Sequence, residues 1–256
     1  MLLRALFTVL LLVTPSPGPS VPAAFVPPPI LMYHRVDPDP GTGAVASDLT
    51  VTPARLREQL EYLKSRGIAA ISMAQLEQRL ERGQPLDHVV VITFDDGYAD
   101  QYRYAVPLLH ELGDSATFYI ITSQLGRARH LTWQQLRTMA EMHLDIAAHG
   151  VQHDDLSLMT ASQQTYQIEQ SVRELHAFLH EPIESYAYPS GRFNRETLAI
   201  LRHTQVPLAV TTDPAYVLSP ENRFEMTRVR VHGGWRLADF ASALQSAFFH
   251  PHPVLR

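Results

Sequence analysis

The chain has no cysteine in its 256 residues, which removes disulfide partners, thiolate nucleophiles, thiolate ligands and a lipid-modified cysteine at one stroke. Any metal must be held by histidine and carboxylate. Cationic residues are also few: 21 Lys and Arg stand against 26 Asp and Glu, a formal charge of -5, and they do not gather into a stripe. The electrostatic footprint of a nucleic-acid binder is missing. So is a glycine-rich phosphate loop after an early strand, which counts against a nucleotide-cofactor protein. A long membrane-spanning run is absent too. The apolar run from Ala5 to Val13 is too short to cross a bilayer comfortably. It follows Arg4 and precedes Pro, Ser and small residues, which reads as a secretory leader over residues 1–24, cleaved near Ala23 or Ala24; an uncleaved anchor is the alternative. Either way the remaining body, residues 25–256, is expected outside the cytoplasm, in the periplasm or the extracellular space.

What is present is a globular composition, 45% hydrophobic and 18% charged, at a length that suits one sizeable core. ILMYHRV reads as a short buried strand, and Asp37 to Leu49 as a loop. In TPARLREQLEYLKSRG the spacing of Leu56, Leu60 and Leu63 predicts a helix, with Thr52 as N-cap before Pro53 and Gly67 as its stop. The alternation then repeats. Strands are expected at IAAIS, HVVVITF, SATFYII, LDIAAH, ESYAYP, VPLAVTT and RVRVHGG. Helices are expected at MAQLEQRLERG, about 99–112, about 132–142, about 161–180, NRETLAILRH and LADFASALQSAF. Strands alternating with helices imply an α/β fold with a mainly parallel sheet, closed or nearly closed as a distorted barrel. In such folds chemistry collects at the C-terminal ends of the strands. His34, Asp95, Asp96, His149, His153, residues 189–191 and His232 all fall there.

HVVVITF ends in Asp95 and Asp96 side by side. Two like charges at the mouth of an apolar strand need a cation beside them or a proton between them. LDIAAH ends in His149, with His153 four residues on, a spacing at which both imidazoles can meet one ion. A second pair at that spacing, His176 and His180, lies inside an amphipathic helix with no strand end beside it, and reads as surface or packing histidine. One Asp and two neutral His make a three-ligand set with open positions, the makeup of a catalytic divalent site, with Zn2+ the best fit. One aspartate would ligate while its neighbour stays free to accept a proton. A plain strand-to-helix turn with a capping Asp is the competing interpretation.

TFDDGY at 93–98, HGVQH at 149–153 with Asp154 and Leu156 behind it, and YPSG at 188–191 resemble, in this order, the polysaccharide deacetylases of carbohydrate esterase family four. The likeness runs over residues 29–248, and LMYHRV resembles the branch that includes poly-N-acetylglucosamine deacetylases. It implies a distorted barrel of β/α units and metal-dependent removal of acetyl groups from an N-acetylglucosamine-containing polysaccharide. By the same resemblance Asp95 is the general base, Asp96, His149 and His153 hold the ion, and the backbone N–H of Ser190 stabilises the oxyanion. Two departures stand out. Many members place an Arg three residues before the motif's proline, where Tyr186 stands here; Arg228 or Arg230 could substitute, with Tyr186 a packed side chain. The general acid is His232 by the wider family's pattern and His34 by the biofilm branch's, and the second is favoured. Trp133, Trp235 and Tyr98 either line a sugar groove or pack in the core. An O-acetyl esterase on xylan-like glycans, and an idle carbohydrate-binding barrel, are the alternative functions. Oligomeric state is not legible.

Overall fold

Six consecutive residues, Val89–Phe94, are buried on both faces, the signature of an interior parallel strand that has neighbours above and below it as well as at its sides. The computed structural model describes residues 28–212 and 222–249, so the expected leader lies outside the described residues. In chain order the elements are β1 (Ile30–Tyr33), β2 (Arg35–Val36), α1 (Ala44–Leu49), β3 (Thr50–Val51), α2 (Pro53–Ser65), β4 (Ala69–Ile71), α3 (Met73–Glu81), β5 (Val89–Phe94), α4 (Val106–Leu112), β6 (Thr117–Ile120), α5 (Trp133–Glu141), β7 (Asp145–Ala148), α6 (Ala161–Leu179), β8 (Ser185–Ala187), α7 (Arg195–His203), β9 (Leu208–Val210), β10 (Val229–Arg230) and α8 (Leu237–Phe249).

The main sheet is parallel throughout, in the order β10-β1-β5-β6-β7-β8-β9, with β4 beside the first half of β5. It curls until its ends approach. Met226, just ahead of β10, pairs with Val210 of β9, and Thr211 N–H donates to the Met226 carbonyl at 2.8 Å. The result is the distorted β/α barrel that the alternation of strands and helices implies.

Side-chain alternation along the strands divides the core in two. Leu31, Phe94, Phe118, Ile146 and Tyr186 face the surrounding helices and meet Leu56, Leu60, Leu136 and Ile168 there. Ile30, Val91, Tyr119, Ala147, Ala187, Leu208 and Val210 form a second cluster within the curl, joined by Met73 and Leu76 of α3. The N-terminus of α3 is fastened there, because Met73 N–H donates to Thr117 Oγ1 at 2.8 Å and Ala74 N–H to Asp145 Oδ2 at 3.1 Å. Both acceptors sit at the first residues of their strands, so α3 plugs the end opposite the site.

Local signals account for most element boundaries. Thr52, Ser72, Thr132, Thr160 and Asn194 each cap the helix that follows them. Two expectations need correction. The stretch read as a loop over 37–49 contains α1, which buries none of its residues and so shows no apolar periodicity. The helix expected from about residue 99 begins instead with a wide π turn over Gln101–Ala105, and α4 starts at Val106. His180 ends α6 in a left-handed conformation, and His176 Nδ1 contacts the Glu181 carbonyl, which gives that histidine pair a local role in closing the helix.

Candidate metal centre and active site

Beyond Phe94 the pairing of β5 with β1 runs one step further, with Asp95 N–H donating to the Tyr33 carbonyl at 2.9 Å. Asp95 is thereby held inside the barrel mouth, only 2% exposed. Asp96 follows with a φ of 71°, a left-handed conformation that Asp tolerates better than most residues and that surrounding structure must hold in place. The turn sends the two adjacent carboxylates in different directions.

His149 follows β7 and His153 the next tight turn. Gly150 makes that turn feasible: its φ is 81°, and a Cβ there would sit 2.9 Å from the Gln152 carbonyl oxygen. The buried His149 ring has Nδ1 2.8 Å from the Ala187 carbonyl, so Nδ1–H donates and the lone pair is left on Nε2. His149 Nε2 lies 3.5 Å and His153 Nε2 3.7 Å from the same oxygen, Asp96 Oδ1. One ligand atom from each of the three residues lies within 4.8 Å of the others. A carboxylate oxygen and two imidazole nitrogens, one of them oriented by a backbone carbonyl, fit a divalent ion with positions left open for substrate and water. Burial pushes the Asp96 carboxyl up, but the adjoining His149, His34 and His153 imidazoles override it and hold the group well below the usual carboxylate range. Asp96 is therefore ready to ligate as an anion.

Asp95 faces a different partner. Arg228, just ahead of β10, places Nη1 2.6 Å from Asp95 Oδ1 and Nη2 2.7 Å from Asp95 Oδ2. The guanidinium is itself fixed by Thr93 Oγ1 at 3.1 Å and the Thr211 carbonyl at 3.2 Å, with its Cζ 5.5 Å from the centre of the Tyr119 ring. Burial raises the Asp95 carboxyl, and the charge and hydrogen bonds of Arg228 outweigh that and keep it ionised. These bonds use two of the roughly four lone-pair sites of the carboxylate. Of the two arginines that the sequence offered, Arg228 reaches Asp95, while Arg230 pairs with Asp48 at 3.2 Å near the surface. Tyr186 is fully buried on the helix-facing side of β8, apart from Asp95.

The two candidate acids also separate. His34 directly follows β1, and burial lowers its proton affinity against the partly compensating charges of Asp95 and Asp96. His232 stands at the neighbouring strand end, but its Nδ1 is 2.7 Å from Asp48 Oδ1 and its ring lies against Trp235, with centroids 5.1 Å apart. Asp48 had no signal in the sequence. Ser190 sits exposed at the end of β8 with a φ of 54°, in the tight turn Pro189–Gly191. Among the three aromatics, Trp133 packs on Phe178 with centroids 4.8 Å apart, and Trp235 on His232. Tyr98 instead lines an open cleft of about 590 Å³ beside the three-ligand cluster, with Arg35, residues 42–46, Leu49, Arg129 and His130.

Comparison with known proteins gives the family and the fold. Residues 82–209 match the polysaccharide deacetylase family. A Bacillus subtilis protein assigned to the polysaccharide deacetylases, YxkH, is 30% identical over 219 residues, 85% of this chain and 76% of that one. The poly-β-1,6-N-acetyl-D-glucosamine N-deacetylase of Escherichia coli K12 is 30% identical over 136 residues, 46% of this chain and 20% of that protein. Among solved structures, the deacetylase PplD of Streptococcus pyogenes, in complex with acetate, superposes with a TM-score of 0.77 at 29% identity, covering 86% of this chain and 98% of that one. The chain belongs to the polysaccharide deacetylase family, and its curled parallel sheet is that family's fold.

Proposed function

We propose that this polysaccharide deacetylase is a divalent-metal-dependent N-deacetylase, acting outside the cytoplasm on an N-acetylglucosamine-containing polysaccharide and releasing acetate. The observation that carries the reading is the juxtaposition of Asp95, ionised and fixed by Arg228, with the Asp96–His149–His153 cluster. The likeness to a poly-N-acetylglucosamine deacetylase supports the choice of sugar.

Asp96, His149 and His153 would hold the ion, with zinc the best match to one carboxylate and two imidazoles. Bound there, zinc supplies Lewis acidity toward the acetamide carbonyl and toward water. Asp95 then takes the proton from the attacking water, and Arg228 keeps its carboxylate aimed while it does so. The N–H of Ser190, exposed at the end of β8, donates to the oxyanion that forms at the acetyl carbon. Collapse of that tetrahedral species breaks the C–N bond, and the amine leaves only if protonated. Of the two candidate acids, His34 is the one on which the charges of both aspartates act, and burial makes its imidazolium a readier proton donor than a free imidazolium. Water and acetamide are consumed; acetate and a free amino sugar are formed.

Acetate release from poly-N-acetylglucosamine, chitin oligomers, peptidoglycan and acetylated xylan, with and without chelator, tests the reading. Chelator-sensitive release from an N-acetylated polymer is expected. Release from xylan alone would make the protein an O-acetyl esterase, and no release from any of them would make it an idle carbohydrate-binding barrel.

A further inference from the structure

We propose that Gln101 is a positioning residue that fixes the spacing of Asp95 and His34 by cross-linking the two strand ends that carry them. The inference rests on the deacetylase reading, in which these two side chains move the protons. The Gln101 carboxamide nitrogen lies 2.6 Å from the Asp95 carbonyl and 2.7 Å from the His34 carbonyl. A carboxamide has two N–H donors, so both are spent, one on each strand end.

The placement matters because the regular ladder has run out there. The paired residues of β1 and β5 stop at Tyr33 and Phe94, and one further bond joins Asp95 N–H to the Tyr33 carbonyl. Parallel strands diverge once the ladder ends, and the carboxamide replaces the missing rung. Its two acceptors belong to the peptide planes that follow His34 and Asp95. Holding those planes fixes the direction in which each side chain leaves the backbone. Gln101 has no exposed surface, and its Oε1 has no hydrogen-bond partner among the described residues. Asp100 adds to the same fastening by accepting from Val36 N–H at 3.1 Å and Arg35 Nε at 3.0 Å. Residues 100 and 101 thus tie residues 34–36 to the end of β5. The wide turn over Gln101–Ala105 begins at this residue, and such turns recur at functional sites.

A buried glutamine serving only stability would affect folding, substrate binding and turnover without distinction. A positioning role moves turnover alone, because a displacement near 1 Å costs on the order of 100-fold in rate. The test uses the full chain reconstituted with zinc, wild type beside Gln101→Met, which keeps the bulk and removes both donors. We expect kcat for acetate release to fall about 10- to 100-fold, with KM and zinc stoichiometry within twofold of wild type. If Gln101→Met does not fold, Gln101→Asn keeps the donors on a stem one methylene shorter, unable to span both carbonyls, and the same split is expected. A kcat within twofold of wild type in a folded variant overturns the proposal. So does a parallel loss of zinc binding and KM. A wild type that releases no acetate while Gln101→Met binds zinc normally defeats the deacetylase reading, and this role with it.

Discussion

Arg228 holds both oxygens of Asp95, at 2.6 and 2.7 Å, in a pair that is closed to solvent on both sides. Breaking a buried pair by removing one partner costs about 3–5 kcal/mol, because the other charge is left unpaired. Arg228→Ala is therefore expected to lower stability on that scale. Arg228→Lys keeps the charge without the two-pronged geometry, so it should fold and lose about tenfold or more in kcat. Denaturant unfolding and acetate release measured on both variants check this; an Arg228→Lys enzyme with wild-type turnover would show that the orientation of Asp95 is immaterial.

The same pair sets a pH dependence. The folded Asp95 carboxyl titrates below its ordinary value, through Arg228 acting against burial. Its contribution to stability is then fully present above the unfolded value, about 3.9, and is lost as the pH falls toward the folded value. In metal-free protein the stability gap between wild type and Asp95→Asn should be constant near neutrality and narrow as the pH drops below about 4. Thermal melts across that range measure it, and a gap that widens on acidification would reverse the sign.

For the acid, His34→Ala is expected to reduce kcat by about 100- to 10,000-fold, the range for loss of a general acid. His232→Ala should change kcat only a few-fold, because its ring is engaged with Asp48 rather than with either aspartate. Steady-state acetate release decides between them, and the opposite ranking would transfer the role to His232.

At Gly191 a Cβ would fall 2.1 Å from Thr212 Oγ1 and 2.6 Å from Thr212 N, at a φ of 69°. Gly191→Ala must therefore shift the turn that presents the Ser190 N–H. Its zinc content should stay normal while kcat drops, by up to about 100- to 1,000-fold if the oxyanion donor is displaced. Normal turnover in this variant would remove Ser190 from the mechanism.

The sequence showed the strand ends clearly, because VVVITF and LDIAAH are apolar runs broken by polar motifs, and barrel topology brings such ends together. It could not choose between Arg228 and Arg230, since residues two apart on a strand point the same way. The pairing of Leu31 with Val229 resolves them by depth: Arg228 sits one step further into the barrel, against Tyr119, and Arg230 one step nearer the mouth, against Asp48. Asp48 and Gln101 were silent for another reason. Each acts across a separation in sequence, 184 residues to His232 and 67 to His34, with no local periodicity to reveal it. The helix α1 was missed because it buries nothing.

The central assignment divides two neighbouring carboxylates between two tasks, and zinc content measured beside acetate release on Asp95→Asn and Asp96→Ala examines that division. Asp95→Asn should hold one zinc per chain and release no acetate from poly-N-acetylglucosamine, while Asp96→Ala should hold none. Wild-type acetate release by Asp95→Asn, or wild-type zinc content in Asp96→Ala, would contradict it.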